Sequence, residues 1–522
     1  MTSMTPFRIL IIFFAQFFFV ECEEKPLRIL QFVPGFTNSH ILFNYRLAQT
    51  LKNLGHNVSL WTQMEMSMVL SGVSKPPVGV DEFRVDIHFS DSLKTEGLKV
   101  FQTMMFNEGT AWDLWWTGQE FKGMRIEACE QMLSVGEDVM TKYRKANFDI
   151  MVAHFHDLCP VALANQLNIK KIVWVTHGTS VYDYNAVQMG LRTYPSFVPH
   201  PLSSFGDSMT LMERTLNLFW HFSTLDFVNL PQNLLHEENE MYKSYSLEKD
   251  TDLWMLTRQV PVLLINGERY LDFPRPLPTG ISFMGEITTT KKDAQLSKEF
   301  QTLMDKSDKG VIIFSLGTVS NTSNMPEKMT NGFLDAFAQF PQYTILWRLE
   351  MDLPGVEKYK HIHVLKWLPQ KDLLAHPKMK LLIAHGGYNS LLETAKAGIP
   401  ALLMPLFADQ YINTKRAVRF GIGRTVDKLD ITGDSVAAEM RALLEDESYS
   451  INSKRLAYML NDKIIDPLRV LDHQLHLATK TPYFHLKAAQ KLNFFQYHSI
   501  DVIGCFSTVW LSAMAIILSV IR

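Results

Sequence analysis

The chain has 522 residues, 47% hydrophobic and 20% charged, enough for two or three domains with packed cores, which excludes an intrinsically disordered protein. Its 51 basic and 54 acidic residues give a formal net charge of -3 and are mixed along the sequence, so no basic block exists to hold a nucleic-acid backbone.

At the start, Arg8, the apolar run Ile9 to Val20 and the polar Glu21 to Glu24 have the order of a secretory signal, read as residues 1–22 with cleavage near Cys22. The run is too short for the ~20 residues that span a bilayer. Leu27 to Val33 then reads as a strand, Pro34-Gly35 as a turn, the stretch to Leu54 as a helix stopped by Gly55, and Val58 to Trp61 as a second strand. The alternation recurs with Ile150 to Ala153, Pro160 to Leu167 and Ile172 to Val175, the pattern of a doubly wound parallel sheet whose ligands lie at the carboxyl ends of the strands. The aromatic, Met-rich segment Tyr182 to Asp250 has weak periodicity and reads as helices and loops packed on the sheet. Met104, Met105, Phe106, Trp112, Trp115 and Trp116 form either an apolar acceptor pocket, a membrane-facing patch or core.

Pro274, Pro276 and Pro278, a short strand Ile281 to Met284 and the polar run Thr288 to Asp293 read as a linker. Alternation restarts at Val311 to Leu316, Met329 to Phe340, Thr344 to Leu349 and His363 to Lys366. The organisation is therefore an α/β domain over 23–287, a second over 288–470, a helical membrane-proximal segment over 471–500, and a transmembrane helix over 501–521 with no charge from Val502 to Ile521. A signal and a C-terminal anchor together imply a single-pass type I protein with a lumenal body. In that setting Asn57-Val58-Ser59 and Asn321-Thr322-Ser323 are N-glycosylation acceptors, and Cys129 and Cys159 are either paired or separate buried thiols.

The densest chemistry lies between Trp367 and Gln410. Leu381 to Ala384 reads as a strand, His385 to Ser390 as a loop, Leu391 to Ala397 as a helix closed by Gly398-Ile399-Pro400, and Ala401 to Met404 as a strand. Such a loop offers backbone N–H groups and a helix N-terminus to an anion, and Gly386 and Gly387 let a diphosphate approach closely. The pattern is not G-x-G-x-x-G, and its acidic residue, Glu393, follows far sooner than the ~20 positions of a dinucleotide fold, so a nicotinamide cofactor is disfavoured.

This stretch resembles the donor-binding signature of the UDP-glycosyltransferases, the family that includes the microsomal glucuronosyltransferases: Trp367-Leu-Pro-Gln370, Asp372-Leu-Leu, His376-Pro377, His385-Gly-Gly, Asn389-Ser390, Glu393, Gly398-Ile-Pro400, Pro405-Leu-Phe, Asp409-Gln410 and Asn413. The resemblance implies a GT-B fold of two Rossmann-like domains, an inverting transfer from a UDP-sugar co-substrate with no metal and no cofactor, and a small lipophilic acceptor held by the N-terminal half. It implies that Trp367 stacks on uracil, Gln370 bonds its edge, Ser315 and His385 hold the diphosphate with Gly387, Asn389 and Ser390, Glu393 takes the ribose, and Asp409 and Gln410 take the sugar. It also implies the endoplasmic reticulum membrane and a homo- or heterodimer.

His40 follows the first strand, where the family has its catalytic base, and an imidazole with an ordinary pKa near 6.5 suits that task. The family's orienting aspartate is absent: His154 stands in its place, which leaves Asp157 as first choice, then Asp149, or His154 itself acting through water. Arg275 resembles the residue near the donor carboxylate and favours UDP-glucuronate over UDP-glucose. The alternative is a catalytically impaired UDP-sugar-binding partner of another transferase. His154 with His156, and His361 with His363, alternate as on strands but have no third ligand, so no metal site is expected.

Overall fold

The computed structural model describes residues 25–35, 38–64, 75–91, 104–107, 111–154, 158–178, 189, 193–201, 203–221, 236–246, 250–285, 287, 296–317, 320–463, 465–480 and 486–521. The signal segment 1–22 lies outside them.

Two parallel sheets carry the chain. The first contains β1 (Arg28–Gly35), β2 (Asn57–Met64), β3 (Asp81–Asp86), β4 (Ile150–His154), β5 (Ile172–His177), β6 (Val262–Asn266) and β7 (Ile281–Phe283), in the order β3-β2-β1-β4-β5-β6-β7. The second contains β8 (Val311–Ser315), β9 (Thr344–Arg348), β10 (Ile362–Leu365), β11 (Met379–Ala384), β12 (Ala401–Leu403) and β13 (Gly423–Thr425), in the order β10-β9-β8-β11-β12-β13. The central strands are buried along nearly their whole length, as β1, β4, β8 and β11 are, because helices cover both faces of a parallel sheet. That explains their near-continuous Ile, Leu and Val runs.

The strand order reverses between β1 and β4 in the first sheet and between β8 and β11 in the second. Loops leaving two such strands diverge to opposite faces and open a crevice. Each candidate histidine follows one of these strands.

Three local readings change. The helix after β11 begins at Tyr388, not Leu391: Gly387 is its N-cap and the buried Tyr388 pins its first turn, so Asn389 and Ser390 are helical rather than in the loop. Met105 and Phe106 are core residues, 1% exposed, packed among Phe314, Phe333 and Met404 under the second sheet, while the side chains of Trp112, Trp115 and Trp116 lie outside the described residues. Within the segment 182–250, the helix Leu211–His221 turns Asn217 and His221 inward and large apolar side chains outward, the reverse of a helix packed on a sheet.

Cys129 and Cys159 form a disulfide with Cα atoms 5.5 Å apart, which ties the helix Ala111–Leu133 to the helix Cys159–Gln166. After the second sheet the helix Pro467–Lys480 returns to the first, inserting Leu471, Leu475 and Ala478 among Ile29, Leu60 and Val173. A polar clasp accompanies it: His56 Nε2 lies 3.0 Å and His476 Nε2 3.4 Å from Asp472 Oδ1. His56 Nδ1 accepts the Leu27 N–H at 3.3 Å, so Nε2 carries the ring proton and donates to the carboxylate instead of offering a lone pair to a metal. The helix Ile500–Ile521 is 22 residues long, apolar and unburied among the described residues, long enough to cross a membrane.

Candidate active site

At the second crevice, Ser315 and Ala384 are register partners at the ends of β8 and β11, which brings Ser315 beside His385. Three glycines shape the socket. Gly317 has φ +75° and a Cβ there would lie 2.7 Å from His385 Cε1; a Cβ on Gly387 would lie 2.6 Å from His385 Nε2; Gly386 has φ +84°. Side chains are excluded at all three by contact or by backbone. Enclosure pushes the His385 imidazole down to about 4, so it is neutral at pH 7, and its Nδ1 is buried without a hydrogen-bond partner. Gly387 supplies no capping side chain, so the first-turn N–H groups of the helix Tyr388–Ala397 point, with the positive end of the dipole, into the same space. An anion fits this arrangement.

Beside it, Gln370 Nε2 donates to Ser390 Oγ at 3.1 Å and to Glu393 Oε2 at 2.8 Å, joining two residues one helical turn apart to a third some twenty positions upstream. Trp367 is 57% exposed, a large aromatic surface held open in the same segment. Asn389 is exposed on the helix's first turn.

Asp409 and Gln410 open the helix Gln410–Arg419 and do different work. The Gln410 side-chain oxygen accepts from the N–H groups of Leu406 and Phe407 at 2.8 and 3.2 Å, bracing the loop before it. The Asp409 carboxyl is pushed above its ordinary range by burial and accepts from Asn413 Nδ2 at 3.1 Å. Asn413 is bonded in turn to Arg416, which is fully buried and donates through Nε and Nη2 to Asp272 Oδ1 at 3.0 and 2.8 Å. Arg275 lies on the same Asp272 oxygen at 3.4 Å with its side chain 8% exposed. The linker arginine thus braces Asp272 rather than standing free at the crevice.

The carboxyl ends of the two sheets meet at Tyr388. Its phenol accepts the backbone N–H of Glu268, in the turn after β6, at 3.0 Å, and a Cβ on Gly178, just past β5, would lie 3.1 Å from its ring. No local pattern in the sequence announces Tyr388, Gly178, Asp272 or Arg416, because each is paired across more than a hundred residues.

At the first crevice, His40 sits in the first turn of the helix Asn38–Asn53, partly open, with its imidazole pushed down to about 4 by burial. Asn44, one turn on, donates to His40 O at 2.9 Å; its Oδ1 accepts from Gln31 Nε2 at 2.8 Å and faces His154 Nε2 at 3.2 Å. With Oδ1 as acceptor, His154 holds its proton on Nε2 and presents Nδ1 as a lone pair. The His40 and His154 rings are 6.4 Å apart between centroids. Asp149 is excluded as the orienting carboxylate: it is bonded to the N–H and guanidinium of Arg28, at the far end of β1 from His40, roughly 20 Å away along an eight-residue strand. Asp157 and His156 lie outside the described residues. His361 is bonded to Phe337 O at 3.0 Å. Asn57 is exposed at the start of β2, and Asn321 caps a short turn by accepting the Ser323 N–H at 3.0 Å.

Residues 32–522 match the family model described as UDP-glucoronosyl and UDP-glucosyl transferase. A Caenorhabditis elegans protein provisionally named UDP-glucuronosyltransferase ugt-60 is 56% identical over 495 residues, covering 94% of this chain and 97% of that one. Human UDP-glucuronosyltransferase 1A1 is 30% identical over 394 residues, 74% of this chain and 71% of its own. Among solved structures, the glycotransferase of kitacinnamycin superposes with a TM-score of 0.58 at 15% identity, over 86% of this chain and 100% of that one. The calicheamicin glycosyltransferase CalG4 gives 0.57 at 15% identity, over 88% and 100%. These two likenesses show the GT-B fold.

Proposed function

Since this chain belongs to the UDP-glucoronosyl and UDP-glucosyl transferase family, we propose that it moves glucuronate from UDP-glucuronate to a hydroxyl of a small lipophilic acceptor, with inversion at the anomeric carbon. The observation that carries the reading is the socket of Gly317, Gly386 and Gly387 around a neutral His385 beside an uncapped helix N-terminus. There the diphosphate would meet backbone N–H groups, Ser315 and His385, with uracil on Trp367 and the edge contacts supplied by Gln370 and Glu393. As the acceptor hydroxyl attacks, its proton passes to His40, the new C–O bond forms, and the anomeric C–O bond to UDP breaks with its electron pair leaving on the β-phosphate. The helix dipole stabilises that negative charge where it develops. Glucuronate as the sugar rests on the names of the relatives, since Arg275 is held by Asp272.

His40 begins neutral, as a base must, and His154, its ring centroid 6.4 Å away, would address it through a bridging water in the role a carboxylate would otherwise fill. No observation favours the non-catalytic alternative. By the same reading the body would lie in the lumen of the endoplasmic reticulum, with Ile500–Ile521 as its anchor.

The test is a membrane-fraction assay of the full chain with a panel of phenols, UDP-glucuronate and UDP-glucose in parallel, and mass detection of conjugates. A glucuronide is the expected product; a glucoside alone reassigns the sugar, and UDP-sugar binding without any conjugate overturns the transferase reading.

A further inference from the structure

The diphosphate socket belongs to the second sheet and His40 to the first, so every distance between the leaving phosphate and the base crosses from one sheet to the other. Something must fix that distance. The helix Tyr388–Ala397, whose N-terminus faces the socket, is fastened to the first sheet near both of its ends, and both fastenings reach Glu268 in the turn after β6. At its start the Tyr388 phenol accepts the Glu268 backbone N–H at 3.0 Å. Near its end, roughly 12 Å further along the axis, Lys396 Nζ lies 3.1 Å from Glu268 Oε1. Lys463 Nζ lies 2.7 Å from the same oxygen, in the stretch by which the chain leaves the second sheet for the helix Pro467–Lys480. A single attachment lets a helix swing; two at opposite ends fix its direction as well as its place.

The first sheet is shaped to receive the Tyr388 ring, which is 5% exposed. Gly178, just past β5, has φ +114°, and a Cβ there would lie 3.1 Å from ring atom Cγ, so backbone and contact both exclude a side chain at that position. Burial pushes the phenol above its ordinary range, which keeps it a neutral hydrogen-bonding group. The socket itself is built from Gly317, His385, Gly386 and Gly387, all on loops of the second sheet. We propose that Tyr388 is a positioning residue for the transfer: it holds the N–H groups that face the diphosphate at a set distance and angle from His40, and so sets the line along which the acceptor oxygen approaches the anomeric carbon. The inference rests on the transferase reading above. A shift of about 1 Å in that line costs on the order of 10²-fold in rate. UDP is held by groups of the second sheet alone, so its affinity does not depend on the line. Water needs no placement by the first sheet, so misalignment spares hydrolysis, in which a water oxygen bonds to the anomeric carbon, the C–O bond to UDP breaks with its electron pair on the β-phosphate, and the proton goes to solvent.

The experiment compares the full chain with Tyr388→Phe, Tyr388→Ala and Gly178→Ala, using the UDP-sugar that the parent accepts. Conjugate and free sugar are measured in parallel, beside UDP affinity by calorimetry and thermal unfolding of the solubilised chain. Tyr388→Phe keeps the ring and loses the bond, so kcat for conjugate should fall about fivefold. Tyr388→Ala loses both and should fall about 10²-fold. In each, UDP Kd should stay unchanged and the share of turnovers that yield free sugar should rise. Gly178→Ala, acting from the other sheet, should reproduce the loss, and combining it with Tyr388→Ala should add little, because both remove one contact. Unchanged kcat and unchanged partition in Tyr388→Ala, with the parent active, overturn the inference. So does a fall in UDP affinity and thermal stability that matches the fall in kcat with the partition fixed, since Tyr388 is then a fold contact only. A parent that forms no conjugate removes the transferase reading and this inference with it.

Discussion

The two crevices of this molecule sit at equivalent points of two similar sheets, yet they are built from different materials. The second is made of backbone: Gly317, Gly386 and Gly387 clear a space, and helix N–H groups line it. The first is made of side chains: Gln31, Asn44 and His154 in one buried chain of hydrogen bonds, tied by Asn44 to the backbone carbonyl of His40, whose ring stands beside it. A backbone site can recognise a feature common to all donors, the diphosphate, and is intolerant of any added atom. A side-chain site can exchange one member provided the neighbours adjust their protons, which is how a histidine at position 154 would serve where the family resemblance expects an aspartate.

The largest break in that contrast is His40→Ala, which removes the proposed base: conjugate formation should fall by about 10²–10⁴-fold in kcat with UDP-sugar affinity unchanged, read by steady-state kinetics beside calorimetric binding. Asp272→Ala tests whether the donor side depends on a partner from the linker. It strands the fully buried Arg416 guanidinium, and thermal unfolding of the solubilised chain should show a loss of about 3–5 kcal/mol. Donor KM should rise as well, because Asn413 and Asp409 lose their support.

Trp367→Ala removes a large exposed aromatic surface near the second crevice and should weaken UDP binding by about 1–3 kcal/mol with little change in kcat at saturating donor. The smallest and most discriminating change is His154→Asp. In the parent, burial holds His40 at about 4, so the basic form persists and kcat/KM stays level as pH falls from 8 to near 5. A carboxylate beside it favours the imidazolium, so the acid limb of the profile should move up toward the ordinary histidine range near 6.5. An unmoved limb would show that position 154 does not address His40. Buried neutral His40 and His385 both have depressed values, so stability present above about 6.5 should be lost as pH falls toward 4, and unfolding must be followed in parallel.

The same contrast explains what the sequence disclosed. Parallel strands buried on both faces announce themselves as apolar runs, and the observed strands fall close to their predicted positions. The backbone-built crevice left glycines at fixed offsets from His385, so its location was legible from one segment of chain. Its capping detail was not: whether Asn389 and Ser390 are loop or helix depends on Tyr388 being buried against Gly178 and bonded to Glu268, residues of the other sheet. The ion pair of Asp272 with Arg416 spans 144 positions, and no spacing rule reaches that far. His40 was legible only by its place after the first strand, and the bond of His154 to Asn44, 110 positions away, is a product of the fold. The helix Leu211–His221 was obscured for another reason: its apolar residues repeat as they would in a packed helix, and the repeat does not say which side faces water.

The return of the helix Pro467–Lys480 to the first sheet has a consequence for engineering. The chain leaves that sheet after β7 and comes back to cover it, so the second sheet is an insertion with two covalent crossings, not a tail. A chimera joined once, within the proline-containing linker, would cap the first domain with a foreign helix and mismatch the clasp of His56, Asp472 and His476. Two junctions, one in the linker and one just before Pro467, would exchange the second sheet and its helices as a cassette while leaving the first sheet, its own cap and the C-terminal apolar helix as one native piece.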